Sequence, residues 1–150
     1  MTPGEVHARI RAEHGAIRGI LDGVVALARR VERGERGLLG ALRLEGEALL
    51  RRLEEHLVWE DRYLAPALRQ ADAWGEERVA KLDADHRQQR EVLAHCLAAV
   101  RDKRRPARVV ARTLADLVQL LCDDMDAEER DLLDGRVLRD DVVGLDVETG

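Results

Sequence analysis

Apolar residues recur at alternating spacings of three and four along most of this chain, and at a few places a histidine or a carboxylate takes an apolar position in that pattern. The first run reads Ile10, His14, Ile17, Leu21, Val24, Ala28 and Val31. Thr2-Pro3-Gly4-Glu5 ahead of it supplies a capping residue, a proline at the first helical position and a glutamate three residues after the cap, which predicts a helix from there to Val31. The stretch from Gly34 to Gly37 ends it. A second predicted helix runs from Leu38 to Ala71, with Leu42, Gly46, Leu49, Leu53, His56, Glu60 and Tyr63 on its inward seam. Pro66 is expected to kink its last turns or end the regular helix early. After the turn at Trp74-Gly75, a third seam reads Val79, Leu82, His86, Gln89, Leu93, Cys96 and Val100. Lys103 to Arg105 close that helix and Pro106 opens a fourth, whose seam is Val110, Leu114, Leu117, Leu121, Asp124 and Glu128.

These elements predict an all-α, up-down-up-down four-helix bundle over residues 1–134 and a short C-terminal tail over 135–150. From Asp134 onward the chain is acidic, with Val142, Val143, Leu145 and Val147 interleaved and no helical period, and it is read as partly docked or disordered. The composition agrees with a plain helical core. Aromatics are 2% of the chain with no Phe, so Leu, Val, Ile and Ala must fill it, which argues against a β-sandwich or barrel. The net charge of −5 is spread over interspersed acids and bases, leaving no basic face for nucleic acid. No apolar run is long enough to span a bilayer and the N-terminal MTPGEVHARIR has no apolar signal core, so a cytoplasmic protein without a membrane partner is expected. Cys96 and Cys122 form no CxxC pair and are read as free thiols.

The chain repeats itself. Residues AEHGAIRGIL (Ala12 to Leu21) and ADHRQQREVL (Ala84 to Leu93) share A-[ED]-H-x-x-x-R-x-[IV]-L. Residues HLVWEDRYL (His56 to Leu64) and DMDAEERDL (Asp124 to Leu132) share [HD]-x-x-x-E-[DE]-R-x-L. A duplicated helical hairpin follows. In such a bundle, residues equally far from a shared loop lie at one height. His14 is about 18 residues before the first loop and His56 and Glu60 about 18 and 22 after it, roughly 27 to 33 Å along the helix. Similar counts at the other loops place His86, Asp124 and Glu128 in the same layer.

Three imidazoles and three carboxylates buried together would carry heavy desolvation and like-charge costs unless a cation neutralised them. The candidate metal ligands are therefore His14, His56, Glu60, His86, Asp124 and Glu128. Carboxylate with imidazole and no thiolate favours iron or manganese, admits zinc and disfavours calcium. Two positions one turn apart on each of two helices suit carboxylates that bridge a pair of ions. His7, lower on its helix, and His95, half a turn round from His86, are read as ordinary surface or core residues, and Gln89 as a polar seam residue.

The pattern of one His, then HxxxE, then the same again resembles the haemerythrin-like (HHE cation-binding) family over nearly all the chain, Glu5 to Asp134. The resemblance implies a non-haem centre of two iron ions, with His14, His56, Glu60, His86 and Glu128 on the family's ligand positions. It further implies reaction with or sensing of O2, peroxide or nitric oxide, or iron handling. Two departures stand out: Asp124 replaces the histidine of the second HxxxE, and Arg90 stands where some members carry an additional His. Asp124 is expected to ligate with a shorter reach, holding one ion weakly. The alternatives are a structural or signalling bundle whose site has decayed, and a zinc- or manganese-loaded hydrolase-like site. The tail sequence VVGLDVETG weakly resembles the apolar-Gly peptides that send some family members into protein shells, which would make it the route to an oligomer or shell partner.

Overall fold

A computed structural model of the chain describes residues 1–134 and 136–140. The helices are α1 (Pro3–Glu32), α2 (Leu39–Trp59), α3 (Ala65–Ala71), α4 (Gly75–Arg101) and α5 (Ala107–Asp131), and among the described residues there is no strand. One π-helical turn, Glu60–Leu64, joins α2 to α3 into a single continuous rod, so four rods make an all-α bundle. Each boundary has a local cause. Thr2 and Glu5 form the reciprocal capping box at the start of α1, with Thr2 N donating to Glu5 Oε2 at 2.7 Å and Glu5 N to Thr2 Oγ1 at 3.1 Å. Gly34, at φ 106°, ends α1 in a Schellman turn: its own N–H returns to Val31 O and that of Glu35 to Arg30 O, both at 3.1 Å.

Packing neighbours close a ring: α1 lies against α2 and α5, and α4 against the α2–α3 rod and α5. Cross-contacts descend on one helix as they climb its neighbour, as Arg43 to Val100, Arg90 to Glu54 and His86 to Asp61 do between the second rod and α4. Neighbours there run antiparallel. The core is split in two. A large apolar cluster includes Ile17, Leu21, Leu49, Leu53, Leu93, Leu114 and Leu121. A smaller one at the other end holds Val6, Ile10, Leu64, Leu68, Val79, Leu82 and Leu133. Between them lies a layer containing buried His14, His56, Glu60 and His86.

One departure from the sequence expectation comes from the π turn. The seam of the second helix was expected to pass through Tyr63, but Tyr63 is only half-buried and Leu64 and Leu68 are fully buried. The reason is the extra residue a π turn carries, which shifts the inward face by one position. The Ala65 N–H bonds back to Glu60 O, and Pro66 next to it has no N–H to continue the regular ladder. The deviation therefore falls one turn earlier than the proline. Beyond α5, Leu138 is buried in the smaller cluster and Asp140 Oδ1 accepts from Gly4 N at 2.9 Å, so this part of the chain folds back onto the start of α1. The VVGLDVETG segment lies outside the described residues.

Gly75 is required by close approach rather than by conformation. A Cβ there would sit 2.4 Å from Arg69 O and 2.5 Å from Leu68 O, at the tight turn between α3 and α4. Gly75→Ala must displace backbone, and a loss of about 1–3 kcal/mol is expected in a denaturant titration. An unchanged midpoint would show that the turn relaxes freely. No helix among the described residues is long and apolar enough to cross a membrane.

Candidate metal centre

The four rods deliver imidazoles and carboxylates to one layer because each occupies a seam position that would otherwise be apolar. His14 of α1, His56 of α2, Glu60 of the π turn and Glu128 of α5 bring one ligand atom each to within 4.8 Å of one another. His14 Nε2 is 3.2 Å from Glu128 Oε1, and His56 Nε2 is 2.7 Å from Glu60 Oε1. The His14 and His56 rings meet edge to face with centroids 5.2 Å apart. His86 of α4 stands at the edge of the group, its Nε2 3.8 Å from Glu60 Oε1.

Despite this crowding, the inward atoms His14 Nε2, His56 Nε2, Glu60 Oε2, His86 Nε2 and Glu128 Oε1 are buried and have no hydrogen-bond partner. Native proteins leave few buried polar atoms unpaired, since each costs about 1–3 kcal/mol, and here five are gathered in one layer. The electrostatics carry the same strain. Burial, and then the neighbouring Glu128, push the Glu60 carboxyl well above the usual range. Burial acts on Glu128 in the same sense, yet His14 and Glu60 outweigh it and hold Glu128 below. Burial also lowers the His56 imidazole, against the effect of its hydrogen bond to Glu13. Nitrogen and oxygen donors with lone pairs aimed into one void are the donor set of an iron, manganese or zinc site.

The outer nitrogens of the imidazoles are all held. His56 Nδ1 is 2.7 Å from Glu13 Oε2, His86 Nδ1 2.6 Å from Asp61 Oδ1 and His14 Nδ1 3.3 Å from Glu129 Oε1. Two of these carboxylates are clamped by arginine. Arg18 donates to Glu129 at 2.7 and 3.0 Å and to Asp126 at 2.8 Å, and Arg90 donates to Asp61 at 2.8 Å and to Glu54 at 3.1 Å. The Arg18 guanidinium holds the Glu129 carboxyl down at about 2. Asp61 is likewise lowered, with Arg90 and His86 overcoming its partial burial. A carboxylate on Nδ1 fixes the tautomer with Nε2 free for a metal and raises ring basicity. Glu13, Asp61, Glu129, Arg18 and Arg90 surround the candidate ligands at positions that the apolar seams do not mark. Their signal was nonetheless present, as the acidic residues beside His14, Glu60 and Glu128 and the arginines four residues after His14 and His86. Asp61→Asn and Glu129→Gln should each weaken metal binding about 10- to 100-fold with little change in the metal-free fold, measured by competition with a chromophoric chelator.

Asp124 stands apart. It is half-buried, its Oδ2 accepts from Gln89 Nε2 at 3.2 Å, and it does not join the convergent four. Burial and then Asp85 push its carboxyl up. His7 bonds Leu133 O with Nε2 and His95 is exposed, so neither reaches the layer. Cys96 and Cys122 are free thiols, and Trp59 packs on Tyr63 with centroids 5.0 Å apart.

With this layer in place, the comparison with protein families is decisive: the model of the Hemerythrin HHE cation binding domain matches residues 6–134. The chain belongs to the haemerythrin HHE family. The match spans every helix that contributes to the layer, from α1 to α5. No curated protein and no solved structure gives a match. Membership points to a cation-binding helical bundle, and the His/Glu cluster is a candidate place in it for a cation.

Proposed function

We propose that the chain binds two non-haem iron ions in this layer and reacts with or senses O2, peroxide or nitric oxide, or handles iron. His14, His56, Glu60, His86 and Glu128 would hold the ions, with Asp124 at the rim as a weaker sixth donor. The observation that carries this reading is the set of five buried, unpartnered atoms converging from four rods. Bound iron would supply redox chemistry, and the chain's own part is to orient the imidazoles through Glu13, Asp61 and Glu129 and to keep the layer between two apolar clusters. Manganese or zinc would satisfy the same donors.

Anaerobic loading of chelator-stripped protein with ferrous iron, followed by desalting and elemental analysis, is expected to return close to two irons per chain. Retention of no metal would overturn the reading. A second reading, a structural or signalling bundle with a decayed site, draws on the position of Asp124 outside the convergent four. It requires that no ion be retained at micromolar free metal.

A further inference from the structure

The two hairpins repeat one another, and comparing them position by position singles out one face of the bundle. Where α1 meets α2, Arg9 lies 5.9 Å over the Trp59 ring, Glu13 bonds His56, and Ile17 lines the void beside the histidines. The repeat puts Ala127 in the place of Trp59, Lys81 for Arg9, Gln89 for Ile17, Asp85 for Glu13 and Asp124 for His56. An indole, a branched alkyl chain and an imidazole have become a methyl, an amide and a carboxylate. Between α4 and α5 there is accordingly a cleft of about 250 Å³, lined by Lys81, Asp85, Gln89, Asp124, Ala127 and Glu128 among others.

This cleft leads inward. Behind it lies a void of about 20 Å³ bounded by His14, His56 and Glu60, and Gln89, Asp124 and Glu128 line both spaces. Glu60 is 2% exposed and its Oε2 has no partner. The other faces are closed at this height by ion pairs: Arg18 with Glu129 and Asp126, Arg90 with Asp61 and Glu54, and Arg9 with Glu13. On the α4–α5 face the corresponding cation, Lys81, lies 3.6 Å from Asp131, leaving Asp85 and Asp124 facing the opening without an arginine.

We infer that the α4–α5 cleft is the port through which a divalent cation reaches the buried layer. Asp85 and Asp124 receive the hydrated ion at the mouth, and Glu128, which belongs to both spaces, passes it to Glu60 and the imidazoles. An acidic funnel with low-dielectric walls concentrates cations and speeds their entry, and carboxylate and amide oxygens replace the ion's waters stepwise. This inference rests on the metal-centre reading above.

The test follows cobalt(II) uptake by the metal-free full-length chain in a stopped-flow absorbance experiment, with final cobalt per chain measured separately. Ala127→Trp restores the plug of the other hairpin and is expected to slow uptake at least about ten-fold without changing final cobalt. At low ionic strength Asp85→Lys should slow uptake and Lys81→Glu should speed it, each about three-fold, and the difference should collapse in high salt. Wild-type uptake by a folded Ala127→Trp protein, or charge variants that shift the rate in one direction or not at all, would overturn the port. If Ala127→Trp does not fold, the two surface charge variants decide alone. Absence of cobalt uptake by the unmodified protein would instead overturn the metal-centre reading itself.

Discussion

Glu60→Gln is expected to stabilise the metal-free protein and to abolish most of the stabilisation that metal gives. Glu60 is 2% exposed, faces Glu128, and its Oε2 has no partner, so without a cation its charge is opposed by both burial and a like neighbour. A neutral amide of the same shape removes that opposition, and the melting temperature of the chelated variant should exceed that of the chelated parent. Metal reverses the order. An ion bound only by the folded state at about 100 times its dissociation constant adds roughly 2.7 kcal/mol. For a chain of this size that is about 5–10 °C. The parent should gain it, while the variant, having lost the carboxylate that lies near both His56 and His86, should gain little. Thermal melts of both proteins with and without ferrous iron or cobalt(II) give the four numbers needed. An equal metal-induced rise in both would show that Glu60 does not bind.

Height along the bundle was legible in the sequence, and azimuth was not. Counting from the loops places His14, His56, Glu60, His86 and Glu128 in one layer because the rise per residue of a helix is fixed. The same count puts Asp124 there too, yet its carboxylate accepts from Gln89 at the rim, because side-chain length and direction are not part of the count. The outer carboxylates escaped notice for a related reason. Glu13, Asp61 and Glu129 each sit next to a ligand in sequence and so about 100° round the helix from it, pointing across a groove to a histidine on another rod. Periodicity marks them as solvent-side positions. Only the pairing of rods shows that they are held against imidazoles. The π turn was hidden as well, since the sequence before Pro66 reads as ordinary helix and its effect, the shift from Tyr63 to Leu64, depends on one added residue.

Asp124→His is the substitution expected to tighten the centre. Within the repeat, Asp85 stands to position 124 as Glu13 stands to His56, and Glu13 is 2.7 Å from the His56 ring. The acceptor for a fourth imidazole is therefore already present in the repeat, but beside a carboxylate its charge adds to burial in pushing the Asp124 carboxyl up. An imidazole at 124 would bond Asp85 through Nδ1 and turn Nε2 toward Glu128, as His56 does toward Glu60. The metal-free protein should lose a like-charge contact. In stepwise anaerobic calorimetric titration, the parent should bind a first ion firmly and a second more weakly, and Asp124→His should raise the second affinity about 10- to 100-fold. Asp124→Asn separates charge from donor, since it removes the repulsion without adding a strong nitrogen ligand, and should leave the second step weak. The same exchange of an anion for a neutral ring lowers the negative charge beside the ions, so iron-loaded Asp124→His should have a more positive midpoint potential than the parent in a spectroelectrochemical titration. A weaker second step in Asp124→His would mean that the carboxylate of Asp124 is itself a ligand of the second ion.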